Sequence, residues 1–433
     1  MIQRVLAFEQ APSLMTPLRF FLAAPLFVLA AAILLFWQGP AALVSRWSPL
    51  TLALTHLLTL GALAGTMIGA LMQILPVVAG VVLPRANATA TGVHALLVLG
   101  TMVLAAAFWR GRPPLFQLAL VCLVAAFGWL LGACAVGLWR ARRQAGNVTV
   151  RIVPLALAAL AVTIGLGATL ASGFAWPLSL PLLLLTDLHV AWGLLGWVGL
   201  LVIGVAFQVI PMFQVTPVYP LRITRWLGPL LLSLLLLWSG AVLLFQDSAH
   251  WSASAVALLL LLGYLGFTLA TLYLLGQRKR PRPDATTWFW RASMASLLLC
   301  MLLWLLPSSG NDPRLSLTLG MLFIIGFAWS AINGMLYKIV PFLVWYHLQH
   351  SAAPGRRGPS IKEVLADRLA LRQFVAHVAA LLLLSGATLW PPLVHPAAVA
   401  LALSAGWLWL NLLRATWLYL RVKREIESPL VVA

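Results

Sequence analysis

The sequence predicts an all-α, polytopic membrane protein with twelve transmembrane helices in three pseudo-threefold arcs of four. Composition is the first reason: of 433 residues 62% are hydrophobic and 9% charged, with a mean hydropathy of +1.00, far from a soluble-domain balance. The second is length. The apolar stretches run to about 20 residues, enough at about 1.5 Å per residue to cross a hydrocarbon core of about 30 Å. Backbone amides inside lipid must be satisfied within the segment, so these Leu- and Ala-rich spans are helices. The third is repetition. An octet G-x-x-x-[QK]-[IV]-[LIV]-P occurs as Gly69 to Pro76, Gly204 to Pro211 and Gly334 to Pro341. The copies lie 135 (204−69) and 130 (334−204) residues apart, a period that marks a repeated bundle rather than a solenoid.

The chain reads as one membrane domain, 1–433, with internal repeats 17–139, 152–276 and 287–420. The first repeat carries spans near 17–38, 50–80, 92–109 and 114–139; the second, near 152–174, 181–213, 226–245 and 251–276; the third, near 287–306, 315–346, 371–390 and 396–420. The octet is expected to close the second helix of each unit.

A net charge of +19 would suggest nucleic acid in a soluble chain, but its placement gives it another meaning. Arg140, Arg142, Arg143 and Arg151 follow the fourth span, and Arg278, Lys279, Arg280 and Arg282 follow the eighth. Arg421, Lys423 and Arg424 follow the twelfth, and Arg356, Arg357 and Lys362 follow the tenth. The other side holds Arg46, Arg110, Arg112 and Arg314, so the positive-inside rule puts both termini in the cytoplasm. The basic residues are topology signals and anionic-lipid contacts, and the bilayer rather than nucleic acid is the partner. Met1 to Pro17 contains Arg4 and Glu9 and lacks a long apolar core, so the first span is expected to stay as an anchor. Cys122, Cys134 and Cys300 fall inside spans without metal-type spacing and read as small core residues. The polar stretch from His350 to Arg372, with Lys362, Glu363, Asp367 and Arg368, suits a short interfacial helix.

Within the octet, Gly at i, Gln or Lys at i+4 and Pro at i+7 share one helical face. The glycine lets a neighbouring helix approach, the proline frees a carbonyl, and Gln73 and Gln208 offer amides to such groups. Lys338, at the matching place in the third copy, is positioned to snorkel or to serve a proton path.

Eight histidines sort by depth. His250 and His395 fall in outer loops, His347 and His350 just past the tenth span, and His94 and His377 where the third and eleventh spans leave the cytoplasmic interface; these six are expected to face water or headgroups. His56 and His189 differ, each about seven residues inside the outer end of the second helix of its unit. An ionisable group at that depth faces the bundle interior and marks a functional site by default, and a neutral imidazole is a common metal or haem ligand. The alternative is a structural hydrogen bond to a carbonyl. His56 lies 13 residues before its octet glycine (69−56) and His189 lies 15 (204−189), which at about 100° per residue points the rings from non-equivalent faces and into different compartments. Met321, 13 residues before Gly334 (334−321), offers a thioether in the third unit. Asp187, two residues before His189, can orient a ligand, pass protons or bond near its helix start.

At these residues the chain resembles subunit I of the haem–copper oxidases and its relatives, including the NnrS-like haem- and copper-containing membrane proteins. The resemblance implies twelve helices in three arcs, both termini cytoplasmic, in a bacterial cytoplasmic membrane. It implies that His56 in THLLTLG, on the second helix, binds haem and that His189 in LHVAWGLLGW, on the sixth, binds copper. The departures bear on activity. Gly193 stands four residues after His189, where the oxidases place a tyrosine; Trp226 to Phe245 lacks paired histidines, and Leu315 to Tyr346 has none. That copper needs three nitrogens and one is on offer, so oxygen reduction by the oxidase mechanism is not expected.

The leading expectation is a haem- or haem/copper-binding protein of electron transfer or of the nitrosative or respiratory stress response, with a respiratory or periplasmic redox partner. Arg46, Arg110, Arg112 and Arg314 would meet propionates. Trp47, Trp109, Trp192 and Trp197 would wall the cofactor, unless they belong to the interfacial belt. The alternatives are a secondary transporter or permease, disfavoured by a four-helix period of constant orientation, and a non-catalytic partner or assembly factor of a respiratory complex.

Overall fold

The computed structural model describes residues 8–141, 148–244, 250–306, 312–351 and 358–427; Arg4, Arg142, Arg143, Arg356 and Arg357 lie outside them. Among the described residues twelve helices are long and apolar enough to cross a membrane: α1 (Met15–Leu43), α2 (Pro49–Ala79), α3 (Ala86–Arg110), α4 (Pro113–Ala141), α5 (Arg151–Ala175), α6 (Leu182–Gln214), α7 (Leu221–Leu244), α8 (Trp251–Gly276), α9 (Ala285–Trp304), α10 (Pro313–His350), α11 (Asp367–Leu389) and α12 (Pro391–Ile426). A single capped turn, Ile361–Val364, interrupts the polar stretch before α11, with Ser360 and Glu363 closing a capping box.

Local chemistry starts and stops these helices. Ser48 precedes Pro49 and its hydroxyl accepts from the Thr51 amide at 3.3 Å, while Asp284 and Asp312 cap α9 and α10 through the Thr287 and Arg314 amides. Gly80 and Gly111 end α2 and α3 at φ +65° and +61°, a left-handed stop that glycine adopts without strain.

Three helices are interior. The apolar windows of α2, α6 and α10 are 83%, 72% and 72% buried, against 28–50% for the other nine. The remaining helices pack around them in chain order, and α12 closes on α1. The octet explains why these three are central. A Cβ on Gly69 would lie 2.8 Å from the Phe20 Cβ, on Gly204 2.6 Å from Ile152, and on Gly334 2.7 Å from the Phe289 Cβ. Eight residues earlier in every copy (69−61, 204−196, 334−326) a second glycine repeats the contact, Gly61 under Phe27, Gly196 under Ala159 and Gly326 under Ser296. The first helix of each unit is thus seated on two glycines of the second, as small-residue packing in lipid requires. Lining residues at the same register, Thr66, Leu201 and Ala331 three residues before the octet glycine and Ala70, Val205 and Met335 one after, surround one apolar cavity of about 60 Å³ where α2, α6 and α10 meet.

The prolines differ from expectation. Pro76, Pro211 and Pro341 do not close their helices, which run on to Ala79, Gln214 and Ser351. A proline removes one amide donor and so frees one carbonyl in the preceding turn, a loss the helix survives three residues from its end in the first two copies (79−76, 214−211) and ten residues from it in the third (351−341). The sequence also hides a feature of all three interior helices, a π-helical segment at Leu57–Ala64, Ala191–Gly199 and Leu322–Trp329. Side chains from neighbouring helices meet its carbonyls: Tyr264 donates to Leu195 O and Ser293 donates to Phe327 O at 2.8 Å.

Gly334→Leu is expected to overpack the Phe289 contact and cost about 1–3 kcal/mol, seen as a lower thermal midpoint of the detergent-solubilised protein. Gly128→Ala, where an added Cβ meets nothing within 4 Å, is expected to leave the midpoint unchanged.

Candidate cofactor site

His56 is the last residue of α2 before its π segment, and His189 lies two residues before that of α6. Their rings converge, with centroids 6.3 Å apart and planes inclined by 22°. The expectation of different compartments is therefore corrected. Spacings of 13 and 15 residues leave the rings on non-equivalent faces of their own helices, but α2 and α6 are neighbours around the central cavity, and faces that two neighbouring helices turn toward each other need not be equivalent ones.

Hydrogen bonds fix the tautomers. His56 Nδ1 lies 2.7 Å from Leu52 O in its own helix, and His189 Nδ1 lies 3.0 Å from Thr163 O on α5. A carbonyl only accepts, so each Nδ1 carries the proton and donates, and each Nε2 keeps its lone pair. That arrangement, ring N–H on a backbone carbonyl and the other nitrogen free, orients a metal-ligating histidine. Space for the second ring comes from Gly167, where a Cβ would lie 2.9 Å from His189 Cε1. Phe108 lies alongside His56 at 5.3 Å and continues into Phe116 and Phe174 at 5.1 and 5.7 Å, an apolar wall beside the pair.

Asp187 turns away from the imidazoles to Arg46, at 3.0 Å, and ties the segment after α1 to the start of α6. Arg46 also lies over the Trp47 ring at 4.2 Å, and Arg110 over Trp109 at 4.5 Å. Met321 occupies the residue before the third π segment, partly buried against the core. Among the described residues no group of three or more His, Cys, Asp or Glu is placed to hold a metal. Trp192 and Trp197 are core residues rather than belt, both buried, with Trp192 donating to Ser239 Oγ at 2.9 Å.

The octet polar residues diverge. Gln73 is buried and its Oε1 has no partner among the described residues, whereas Gln208 is half-buried. Lys338 does not snorkel alone: its ammonium is 2.7 Å from Asp284. Asp284 is tied further by the Thr287 amide at 2.9 Å and hydroxyl at 2.8 Å, and Thr287 reaches Gln214 of α6. Burial alone would raise the Asp284 carboxyl, but Lys338 and the Thr287 hydrogen bonds outweigh it and hold the group below the ordinary carboxylate range.

Three histidines expected at water or headgroups are elsewhere. His377 is fully buried, 10 residues into α11 (377−367) and so about 15 Å from its start. Ser330 and the Phe289 ring meet it there, where a depth count from the sequence placed it at the interface. His347 lies within α10, because the helix passes Pro341. His94 is half-buried, edge-on to Phe20 at 4.9 Å. The sequence reading also missed Ser330, Asn333, Gln373 and Asn411, each fully buried; the signal was the polar Gln373–His377 pair at i, i+4 inside an apolar span.

No protein-family model matches this chain, and no curated protein matches it.

Folded Asp284 binds its proton less readily than the unfolded chain, so its contribution to stability is full above the unfolded carboxylate pKa of about 3.9 and is lost as pH falls through the lower folded value. The thermal advantage of wild type over Asp284→Asn is expected to be constant between about pH 7 and 5 and to shrink below about pH 4, measured as the difference in melting midpoint.

Proposed function

We propose that this chain is a membrane-embedded haem- or haem/copper-binding protein, with His56 and His189 as its imidazole ligands. One observation carries the reading: two neutral rings from different helices, each with Nδ1 committed to a carbonyl, lie 6.3 Å apart. Metal–nitrogen bonds of about 2.0 Å, added to the ring dimensions, separate the centroids of two imidazoles on one metal by about 6 Å. The donor set therefore suits a group taking two nitrogen ligands, such as a haem iron or a cuprous ion, and not a copper that needs three.

When bound, such a group supplies one-electron redox chemistry. The chain's own residues do the rest. Leu52 O and Thr163 O hold the two rings in the ligating tautomer, Phe108, Phe116 and Phe174 exclude water from one side, and Arg46 and Arg110 offer positive charge to propionates. With two imidazoles at this pair, the roles that fit are electron transfer or a response to nitrosative or respiratory stress. The twelve-helix count, the placement of His56 on the second helix and His189 on the sixth, and the matched registers around the central cavity support a relationship to the haem–copper oxidase fold and an arrangement in three arcs. The basic clusters favour termini on the cytoplasmic side, in the bacterial cytoplasmic membrane that the resemblance implies.

Protein purified from a haem- and copper-replete host is expected to show a Soret band or stoichiometric copper. His56→Ala and His189→Ala are each expected to weaken retention by more than about tenfold, since even residues one step removed from a metal are worth 10–100-fold. A colourless, metal-free protein that is correctly folded would overturn the reading in favour of a transporter or an assembly partner with structural histidines.

A further inference from the structure

The third unit contains a polar seam that the other two lack. On α10, Ser330, Asn333 and Tyr337 share a face, all buried. At the same distances from the octet glycine, the first copy has Gly65, Ile68 and Met72 and the second has Leu200, Ile203 and Phe207, buried as well. Packing at these registers is met twice by apolar residues, so packing does not call for the polar set.

The seam forms three hydrogen-bonded groups. At its exposed end, Arg414 of α12 donates to Asn411 Oδ1 at 3.4 Å, and Asn411 donates to Tyr337 Oη at 3.0 Å, which leaves the Tyr337 hydroxyl its own proton to give. Deeper, Gln373 of α11 donates to Asn333 Oδ1 at 3.2 Å and to Ser404 Oγ at 3.1 Å. Deepest, His377 Nε2 lies 2.7 Å from Ser330 Oγ, whose hydroxyl donates to Ile325 O at 3.2 Å. Since Ser330 spends its proton on that carbonyl, Nε2–H must donate to Ser330, and the lone pair falls on Nδ1. His377 Nδ1 and Gln373 Oε1 are both buried acceptors with no partner among the described residues. Two unmatched acceptors one helical turn apart, in a polar site, are where buried water is held.

We infer that this seam is a hydrated proton path from the Arg414 end of the bundle to His377 at mid-depth. Water molecules bridge the three groups; a proton from bulk water passes along them, with Tyr337 able to accept and give one in the chain, and adds to the Nδ1 lone pair to form imidazolium, returning by the same route. From α9 the ring is faced by Phe289, which does not titrate. From α10 Ser330 meets it, and Tyr337 lies two turns on; from α12 Ser404 borders the seam. Asp284 with Lys338, and Arg414, stand at the open end, so no carboxylate holds the ring permanently charged.

The test uses full-length protein with ¹⁵N-labelled histidine in liposomes, studied by solid-state NMR, the His377 signal being assigned by its loss in His377→Gln. A water-to-imidazole exchange peak and a reversible shift to the imidazolium position between pH 8 and 3 are expected; a signal without water contact that stays fixed across that range would overturn the path. Asn333→Ile installs the residue found at this register in both other copies and is expected to slow His377 protonation after a pH jump at least tenfold. An unchanged rate in that variant would also overturn it. Should the variant fail to fold, the wild-type water contact and titration decide.

Discussion

Where Gly69, Gly204 and Gly334 lie beneath Phe20, Ile152 and Phe289, a single methyl group does not fit, and that exclusion governs the rest of the molecule. In lipid, apolar burial gives helices no reason to prefer one another over acyl chains, so close approach and interhelical hydrogen bonds must select the partners. Two glycines per unit, one helical stretch apart, seat each first helix on its second and leave the opposite faces of α2, α6 and α10 free to meet at the central cavity. The histidines inherit their position from this. His56 and His189 sit on two of the three interior helices, at the start of the π segments, and converge because those helices do.

What the sequence disclosed follows from its physics. Helix number and span limits were legible because hydropathy over about 20 residues is a sum that local detail does not disturb; the expected 114–139 span is Pro113–Ala141 and 251–276 is Trp251–Gly276. The octet glycines were legible as packing sites because smallness has one main use in such a helix. The ring positions were not. An azimuth on one helix does not say how its neighbour is turned toward it, and rings on non-equivalent faces of α2 and α6 share one contact. His377 was misplaced because the eleventh span was read from 371, whereas the helix begins at Asp367, which puts the ring a full turn deeper than the apolar pattern implied. Lys338 escaped for want of its partner, since Asp284 lies 54 residues away (338−284) in another helix.

Polar groups in this bundle divide into those that serve the backbone and those that do not. Tyr264 and Ser293 satisfy carbonyls that π geometry leaves open, as buried acceptors demand. Asp284 and Lys338 neutralise each other where α9 begins, linked through Thr287 to the end of α6. The imidazole pair and the third-unit seam go beyond both: His56, His189 and Ser330 each meet a carbonyl, while His377 Nδ1 and Gln373 Oε1 stay unmatched among the described residues. An unmatched buried acceptor costs about 1–3 kcal/mol, and a bundle that could use Ile68 and Ile203 at the same register has no structural cause to bear it. Two such polar regions thus lie in one scaffold, the imidazole pair toward one end of the interior helices and the seam entering from the other.

The proposed role requires both imidazoles to belong to one centre. Pulsed paramagnetic resonance of the oxidised, metal-loaded protein with ¹⁵N-histidine counts the imidazole nitrogens coupled to the electron spin. Two equivalent couplings, reduced to one in His56→Ala and in His189→Ala alike, are what the 6.3 Å pair predicts. Coupling to one ring only, or a spin untouched by either substitution, would contradict it.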